Sequence, residues 1–311
     1  MIVRDKRSWL RMVFAVRGCS FGQTWPRIAV VTLFSAVVTL TANASGVAKY
    51  SLGTTPLSLI GVAMAIFLGF RNNASYDRFW EGRKLWGRLV NVSRSFTRQA
   101  LTLIVADSDK ADDIREQQHR LVRMNIAYVH AFRHHLRDSD PSAELDQYMP
   151  DEDRASLAGH SNVPLALLQR MGQRVHEAWQ TGQIHDLHVP VLEASLTEMT
   201  TVQGACERIK KTPIPYTYNV LIHRIVAMYC LALPFGLLES AGNLTPFVVA
   251  LISYAFFGLD AIGDDVEQPF EIDDNDLPLE GLSRTIEINL LELIGATDIP
   301  EPVQPVDGVL R

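Results

Sequence analysis

The uncharged stretch Leu57–Phe70, LSLIGVAMAIFLGF, decides the fold because it runs directly into RNNASYDRFWEGRKLW, a segment dense in Arg, Lys and Trp. Its composition is that of a membrane helix that meets water at its carboxyl end. In a helix, residues four apart lie on one face, so Val62, Ile66 and Phe70 form a single bulky apolar stripe.

A second stripe of small residues lies about 100° around the same helix. It consists of Gly61, Ala65 and Gly69. Such spacing lets another helix backbone approach closely inside a bilayer. Two interpretations remain open: a tightly packed helix whose bulky face touches lipid, or a helix packed against its own copies whose bulky face lines a narrow hydrophobic passage. The pattern alone favours the first.

Composition limits the classes of function. The chain has 311 residues and a formal net charge of −6. It therefore lacks the basic surface that nucleic-acid binding requires, and no nucleic-acid partner is expected. The three cysteines, Cys19, Cys206 and Cys230, are too few and too widely spaced for a disulfide framework or a zinc ribbon, so we expect them to serve packing.

Four apolar segments predict a polytopic membrane protein. They run over approximately residues 28–47, 55–72, 215–239 and 244–262. Basic residues precede the first segment and follow the second, which places both chain ends in the cytoplasm by the positive-inside rule. The first 27 residues, rich in Arg and interleaved with apolar side chains, predict an amphipathic helix at the membrane interface rather than a signal peptide.

The rest of the chain predicts helices and no strands. Helical periodicity continues past Phe70, and no proline occurs between Phe70 and Pro141. The second span should therefore extend into a long cytosolic helix. Residues 73–212 and 263–295 form the predicted cytosolic helical part, and residues 296–311 form a proline-containing extended tail. We therefore expect an all-α protein in which residues 1–311 form a single domain.

Two motifs suggest metal chemistry, and both are weak. The acidic run Asp273–Asp276 resembles half of a calcium loop but lacks that loop's glycine and glutamate, so a solvated loop is preferred. His130 and His134 lie four residues apart on one helix face, but the glutamate of a metalloprotease motif is missing and Arg133 would oppose a cation. An interface or solvated face is the preferred interpretation, and a membrane metalloenzyme is a minor alternative. No nucleophile, phosphate-binding or redox motif occurs in a supporting context, so the chain is not expected to be an enzyme.

Three ordered stretches resemble the bestrophin family, most closely its bacterial members. They are GVAMAIFLGFRNNASYDRFWEGRKLWG (61–87), GACERIKKTPIPYTYNVLIHR (204–224) and DAIGDDVEQPFEIDDNDLPL (260–279). The resemblance covers nearly the whole chain. It implies a homopentameric ion channel with five chains around one central pore, in which transmembrane helices continue into a cytosolic helical part. A bacterial inner-membrane location, lipid contact and permeating monovalent ions follow as expectations.

The resemblance also assigns roles to residues of the second span. It places the family's hydrophobic pore neck at Val62, Ile66 and Phe70, which reverses the preference stated above and leaves the small stripe for helix packing. The family's second, cytosolic aperture falls at Pro190, where an aliphatic residue is usual. Because proline is shorter and stiffer, Val189 or Val191 is an alternative for the constriction.

The acidic stretch after the last span matches the calcium clasp of animal bestrophins. Its liganding positions fall on Asp265, Gln268, Asp273 and Asp276. Glu271 replaces the glycine of the family's turn, which argues against calcium activation, so no cofactor is expected to be required and a bound calcium or other divalent ion is the alternative.

Ion preference stays open at this stage. The family implies chloride or other anions, whereas bacterial members can differ and pass cations. Arg71 would favour anions if it faced the pore, and the acidic residues between Asp260 and Asp276 would favour cations. The alternative from another functional class is a non-conducting membrane scaffold whose cytosolic helices bind a partner.

Overall fold

The computed structural model describes residues 1–2, 13, 18–45, 53–105 and 111–311. Helices account for 77% of the described residues, which contain only isolated β-bridges and no strand. The all-α prediction is therefore confirmed. Most of the predicted amphipathic helix over residues 1–27 lies outside the described residues.

Ten α-helices are described. They are α1 (Phe21–Ser45), α2 (Thr54–Leu103), α3 (Ala111–Leu136), α4 (Ser142–Tyr148), α5 (Asp151–Ala155), α6 (Val163–Gln180), α7 (Val189–Lys211), α8 (Tyr216–Ala241), α9 (Thr245–Asp265) and α10 (Leu279–Leu293). A 3-10 turn, Gly242–Leu244, connects α8 to α9. The tail over residues 296–311 contains no helix, as its prolines predict.

Helix α2 runs for 50 residues without interruption. At about 1.5 Å per residue it is about 75 Å long. The continuation of the second apolar segment into a polar helix is therefore confirmed, and its cause is the absence of proline after Pro56 until well past the end of the helix.

The chain divides into two compact units. One contains Met1–Val3, Trp80–Thr212 and Phe270–Arg311, and the other contains Arg4–Phe79 and Pro213–Pro269. We call them the polar unit and the apolar unit. Helix α2 contributes its first half to the apolar unit and its second half to the polar unit.

The core of the apolar unit is made by α1, α2, α8 and α9. Its buried side chains are Val31, Met64, Leu68, Ile222, Val226, Cys230, Leu233, Val249 and Phe257. Three segments of the described chain are long and apolar enough to cross a membrane, namely Phe21–Ala44, Thr54–Leu103 and Tyr216–Asp265. The third contains both α8 and α9, so the number of crossings depends on whether each of them spans.

The polar unit is organised around α3, which packs against α6, α10 and α4. Trp86 of α2 stacks on Phe132 with ring centroids 5.6 Å apart, and Tyr128 stacks on the same ring at 6.0 Å. All three rings are fully buried. Their large apolar area makes this stack a main contributor to the stability of the unit.

A buried carboxylate, that of Asp153 on α5, links three helices of the polar unit. Arg120 Nε of α3 donates to its Oδ2 at 2.7 Å, while Arg170 Nε and Arg174 Nη2 of α6 donate to its Oδ1 at 3.1 and 3.0 Å. Burial raises the pKa of this carboxyl, but the three arginine hydrogen bonds outweigh that effect and hold the pKa below its usual value.

Candidate functional site

The predicted neck residues lie on a face of α2 that their own chain leaves uncovered. The exposed fractions of Val62, Ile66 and Phe70 are 62%, 52% and 63%. On the other side of the helix, Met64 and Leu68 are 4% and 0% exposed and enter the core of the apolar unit. The face that α2 turns to its own chain is thus the Met64–Leu68 face, which sequence reasoning did not single out.

The small-residue stripe divides into two environments. A Cβ atom on Gly61 would lie 2.5 Å from Tyr229 Oη of α8, so Gly61 permits a close approach within the chain. Ala65 is exposed, and a Cβ atom on Gly69 would meet nothing within 4 Å. A packing role for Ala65 and Gly69 against another copy stays a prediction.

Arg71, the first charge after the neck stripe, is turned into the apolar unit and is only 1% exposed. Its Nη1 donates to Asp260 Oδ1 at 2.8 Å, and its Nη2 pairs with Asp264. Its Nε donates to Asn219 Oδ1 at 3.1 Å. This guanidinium therefore serves a buried ion-pair network and does not lie on the neck face.

The same network fixes Asp260, which is 1% exposed. Its second oxygen, Oδ2, lies 2.7 Å from Nδ1 of His223. His223, Asp260 and Asp264 together have the donor set of a metal site. Because Arg71 already contacts both carboxylates and would repel a cation, the arrangement is better explained as a charge network that fastens α2, α8 and α9.

Replacing Arg71 by alanine should destabilise the protein by about 3–5 kcal/mol, because it removes the arginine that neutralises the buried Asp260 carboxylate. The measurement is the thermal unfolding midpoint of the purified protein in detergent. Arg224→Ala, which removes an exposed arginine from α8, is the matched control and should leave the midpoint unchanged. Equal midpoints for Arg71→Ala and wild type would show that the network contributes nothing to stability.

The aperture candidates lie in the first turn of α7. Pro190 and Val191 are exposed, and Val189 is partly buried. Pro190 and Val191 line an open groove in the polar unit with Arg88 and Asn91 of α2. The side chains of Pro190 and Val191 are thus more exposed to solvent than that of Val189. The position of the constriction stays a prediction.

The calcium-clasp candidates are distributed two to each unit. In the apolar unit, Asp265 Oδ1 accepts a hydrogen bond from Gln23 Nε2 at 3.1 Å, and Gln268 is exposed. In the polar unit, the backbone N–H of Asp273 donates to Asp276 Oδ2 at 2.8 Å. Burial raises the pKa of Asp276 to about 7. Calcium binding stays a prediction.

The two histidines of the HxxxH pattern bind different carboxylates. Buried His130 places Nε2 2.9 Å from Glu287 Oε2 of α10, and His134 places Nε2 3.2 Å from Glu144 Oε1 of α4. Tyr148 also donates to Glu287. Burial raises the pKa of Glu287, but the hydrogen bonds from His130 and Tyr148 bring it below its usual value. These histidines therefore join helices, in agreement with the interface interpretation.

Residues 1–292 match the family model described as bacterial and fungal bestrophin proteins. The chain belongs to the bestrophin family. The resemblance expected from the three sequence stretches is thereby confirmed.

Bestrophins similar to this one include the voltage-dependent anion channel-forming protein RSc3414 of Ralstonia nicotianae, which is 42% identical over 95% of each chain. The voltage-dependent anion channel-forming protein YneE of Escherichia coli K12 is 36% identical over 98% of each chain. A solved bacterial bestrophin homologue from Klebsiella pneumoniae has a TM-score of 0.80 at 33% identity, covering 88% of this chain and 98% of its own. Together with the apolar helices, these relatives identify this bestrophin as a membrane protein.

Proposed function

We propose that this bestrophin is a passive anion channel in which five copies surround a central pore, with Val62, Ile66 and Phe70 as the neck. The observation that carries the proposal is the uncovered apolar stripe on α2. Its side chains are more than half exposed although the opposite face of the same helix is buried in its own chain. A stripe of this kind fits either lipid or a pore, and the bestrophin relatives named as anion channel-forming proteins favour the pore.

The neck acts on ions through hydration. A ring of apolar side chains offers no ligand that could replace the water around an ion. When the ring is narrow, water leaves this part of the pore and ions cannot cross it. A slightly wider ring stays filled with water and passes hydrated ions. Conduction of this kind needs no catalytic step and no resident cofactor. We place the second constriction at Pro190, with Val191 as the alternative that its exposure supports.

The proposed topology has four crossings with both chain ends in the cytoplasm of a bacterial inner membrane. Helices α8 and α9 contain 26 and 21 residues, and each is long enough to cross a bilayer of about 30 Å. The 3-10 turn Gly242–Leu244 would then be the short outer connection. The basic residues after Phe70 support a cytoplasmic position for the polar unit.

The deciding experiment is current recording from purified protein in planar bilayers under asymmetric NaCl. We expect discrete single-channel currents whose reversal potential has the sign of the chloride equilibrium potential. A reversal potential with the sign of the sodium equilibrium potential would show that the channel conducts cations and not anions. No current from wild type or from Ile66→Ala would overturn the channel function and leave the scaffold hypothesis.

Recording with EDTA and then with calcium tests whether the calcium-clasp candidates bind calcium. We expect the open probability of the channel to be unchanged.

A further inference from the structure

The neck stripe contains no charge, so charged side chains beside it influence how strongly the channel prefers one sign of ion. Arg71 is the nearest basic residue in sequence, but it is buried and paired with Asp260 and Asp264. Its position on α2 is about 100° away from Phe70, on the side that enters the core. The charge that an ion meets after the neck must therefore come from another residue of the exposed face.

That face of α2 continues past Phe70 without a break. Asn73 and Asp77 are exposed, while Ser75, between them, is fully buried. Asp77 is seven residues after Phe70, which is about two helical turns, so the two side chains project from the same side of the helix. None of the described residues forms an ion pair with Asp77. It is the first ionisable side chain on the neck face beyond Phe70.

We propose that Asp77 is a specificity-determining residue of the channel: five copies of its carboxylate form a ring below the neck that attracts cations and limits anion preference. The inference rests on the proposed channel function. Rings of carboxylates favour cation entry because they raise the local cation concentration and lower that of anions. In this bestrophin the ring opposes the anion preference instead of producing it.

Two further charges follow on this face, Glu81 eleven and Lys84 fourteen residues after Phe70. Glu81 pairs with Arg208, so Asp77 is the nearest charge on the face without an ion-pair partner among the described residues. Distance separates the effect of Asp77 from that of Lys84. Asp77 lies about 10 Å along the helix axis from Phe70, and exposed Lys84 lies about 21 Å from it. The Debye length is about 8–10 Å at 0.1–0.15 M salt. The field of Asp77 therefore reaches the neck entrance, whereas the field of Lys84 is largely screened there.

The test is the reversal potential of Asp77→Asn under asymmetric NaCl in planar bilayers. We expect the chloride-to-sodium permeability ratio to rise about threefold, since five screened charges about 10 Å away are removed. Asp77→Glu keeps the charge and should behave as wild type. At 1 M salt, where the Debye length is about 3 Å, the difference between Asp77→Asn and wild type should vanish.

Two control variants separate the local field from a general change in charge. Glu116→Gln removes an exposed carboxylate from α3 and should leave the ratio unchanged. Lys84→Gln should lower the ratio by less than Asp77→Asn raises it. An unchanged ratio for Asp77→Asn in a conducting channel, or an equal change for Glu116→Gln, would overturn the inference while the channel function stands. Absence of current from wild type would overturn the channel function itself.

Discussion

Replacing Val62, Ile66 and Phe70 together by alanine should raise the single-channel conductance severalfold. The substitution shortens three side chains that are exposed on α2 and make little contact with their own chain. In the proposed channel it would widen the neck and lower the dewetting barrier at little cost to folding. The measurement is the unitary current in symmetric KCl, with the size of the purified assembly checked in parallel.

Phe67→Ala is the matched control for this experiment. Phe67 is 56% exposed on the same helix, but it projects about 100° away from Ile66. We expect its conductance to equal that of wild type, whereas Phe70→Ala alone should give part of the increase. If the triple variant assembles normally and its conductance is unchanged, the stripe does not line the pore and lipid contact becomes the better explanation.

Replacing Asp153 by alanine should cost about 3–5 kcal/mol of stability in the polar unit. The carboxylate is fully buried, and its removal leaves Arg120, Arg170 and Arg174 without their shared partner. Thermal unfolding of the purified protein gives the change. Asp151→Ala is the control on the same helix, because Asp151 is 94% exposed and its pair with Arg154 is solvated.

The same carboxyl predicts an acid dependence of stability. Its pKa is lower in the folded protein than in the unfolded chain, so its contribution is complete at pH values above the unfolded pKa of about 3.9. The contribution is lost as the pH falls through the folded pKa. Asp153→Asn should therefore flatten the decline of the unfolding midpoint below about pH 4. A decline as steep as that of wild type would assign the acid sensitivity to other groups.

The helices were largely predictable because their signals are local. The absence of proline after Pro56 predicts an unbroken α2, and Asn162 caps α6 by accepting a hydrogen bond from the Leu165 N–H. The i, i+4 spacing of Val62, Ile66 and Phe70 likewise gives one face of one helix. Such features depend on neighbours within one or two turns, which the sequence displays directly.

The partners of buried charges were not predictable, because they are distant in sequence. Arg71 could have faced the pore or the core, and only its contact with Asp260, 189 residues later, decides between them. The spacing of His130 suggested a metal ligand, whereas its ring nitrogen contacts Glu287, 157 residues away in sequence. One sequence carries no signal that pairs such residues. Which face of α2 enters the core was equally hidden, since Met64 and Ile66 are both large and apolar.

The pairing of Arg71 with the end of α9 also has a consequence for biosynthesis. Asp260 and Asp264 leave the ribosome 189 and 193 residues after Arg71. At about 5–20 residues per second, the guanidinium waits about 10–40 s for its partners. During that interval the positive charge of Arg71 is uncompensated, so this part of α2 must stay hydrated until α9 has been synthesised. The buried network of the apolar unit is therefore completed only after α9 has been synthesised.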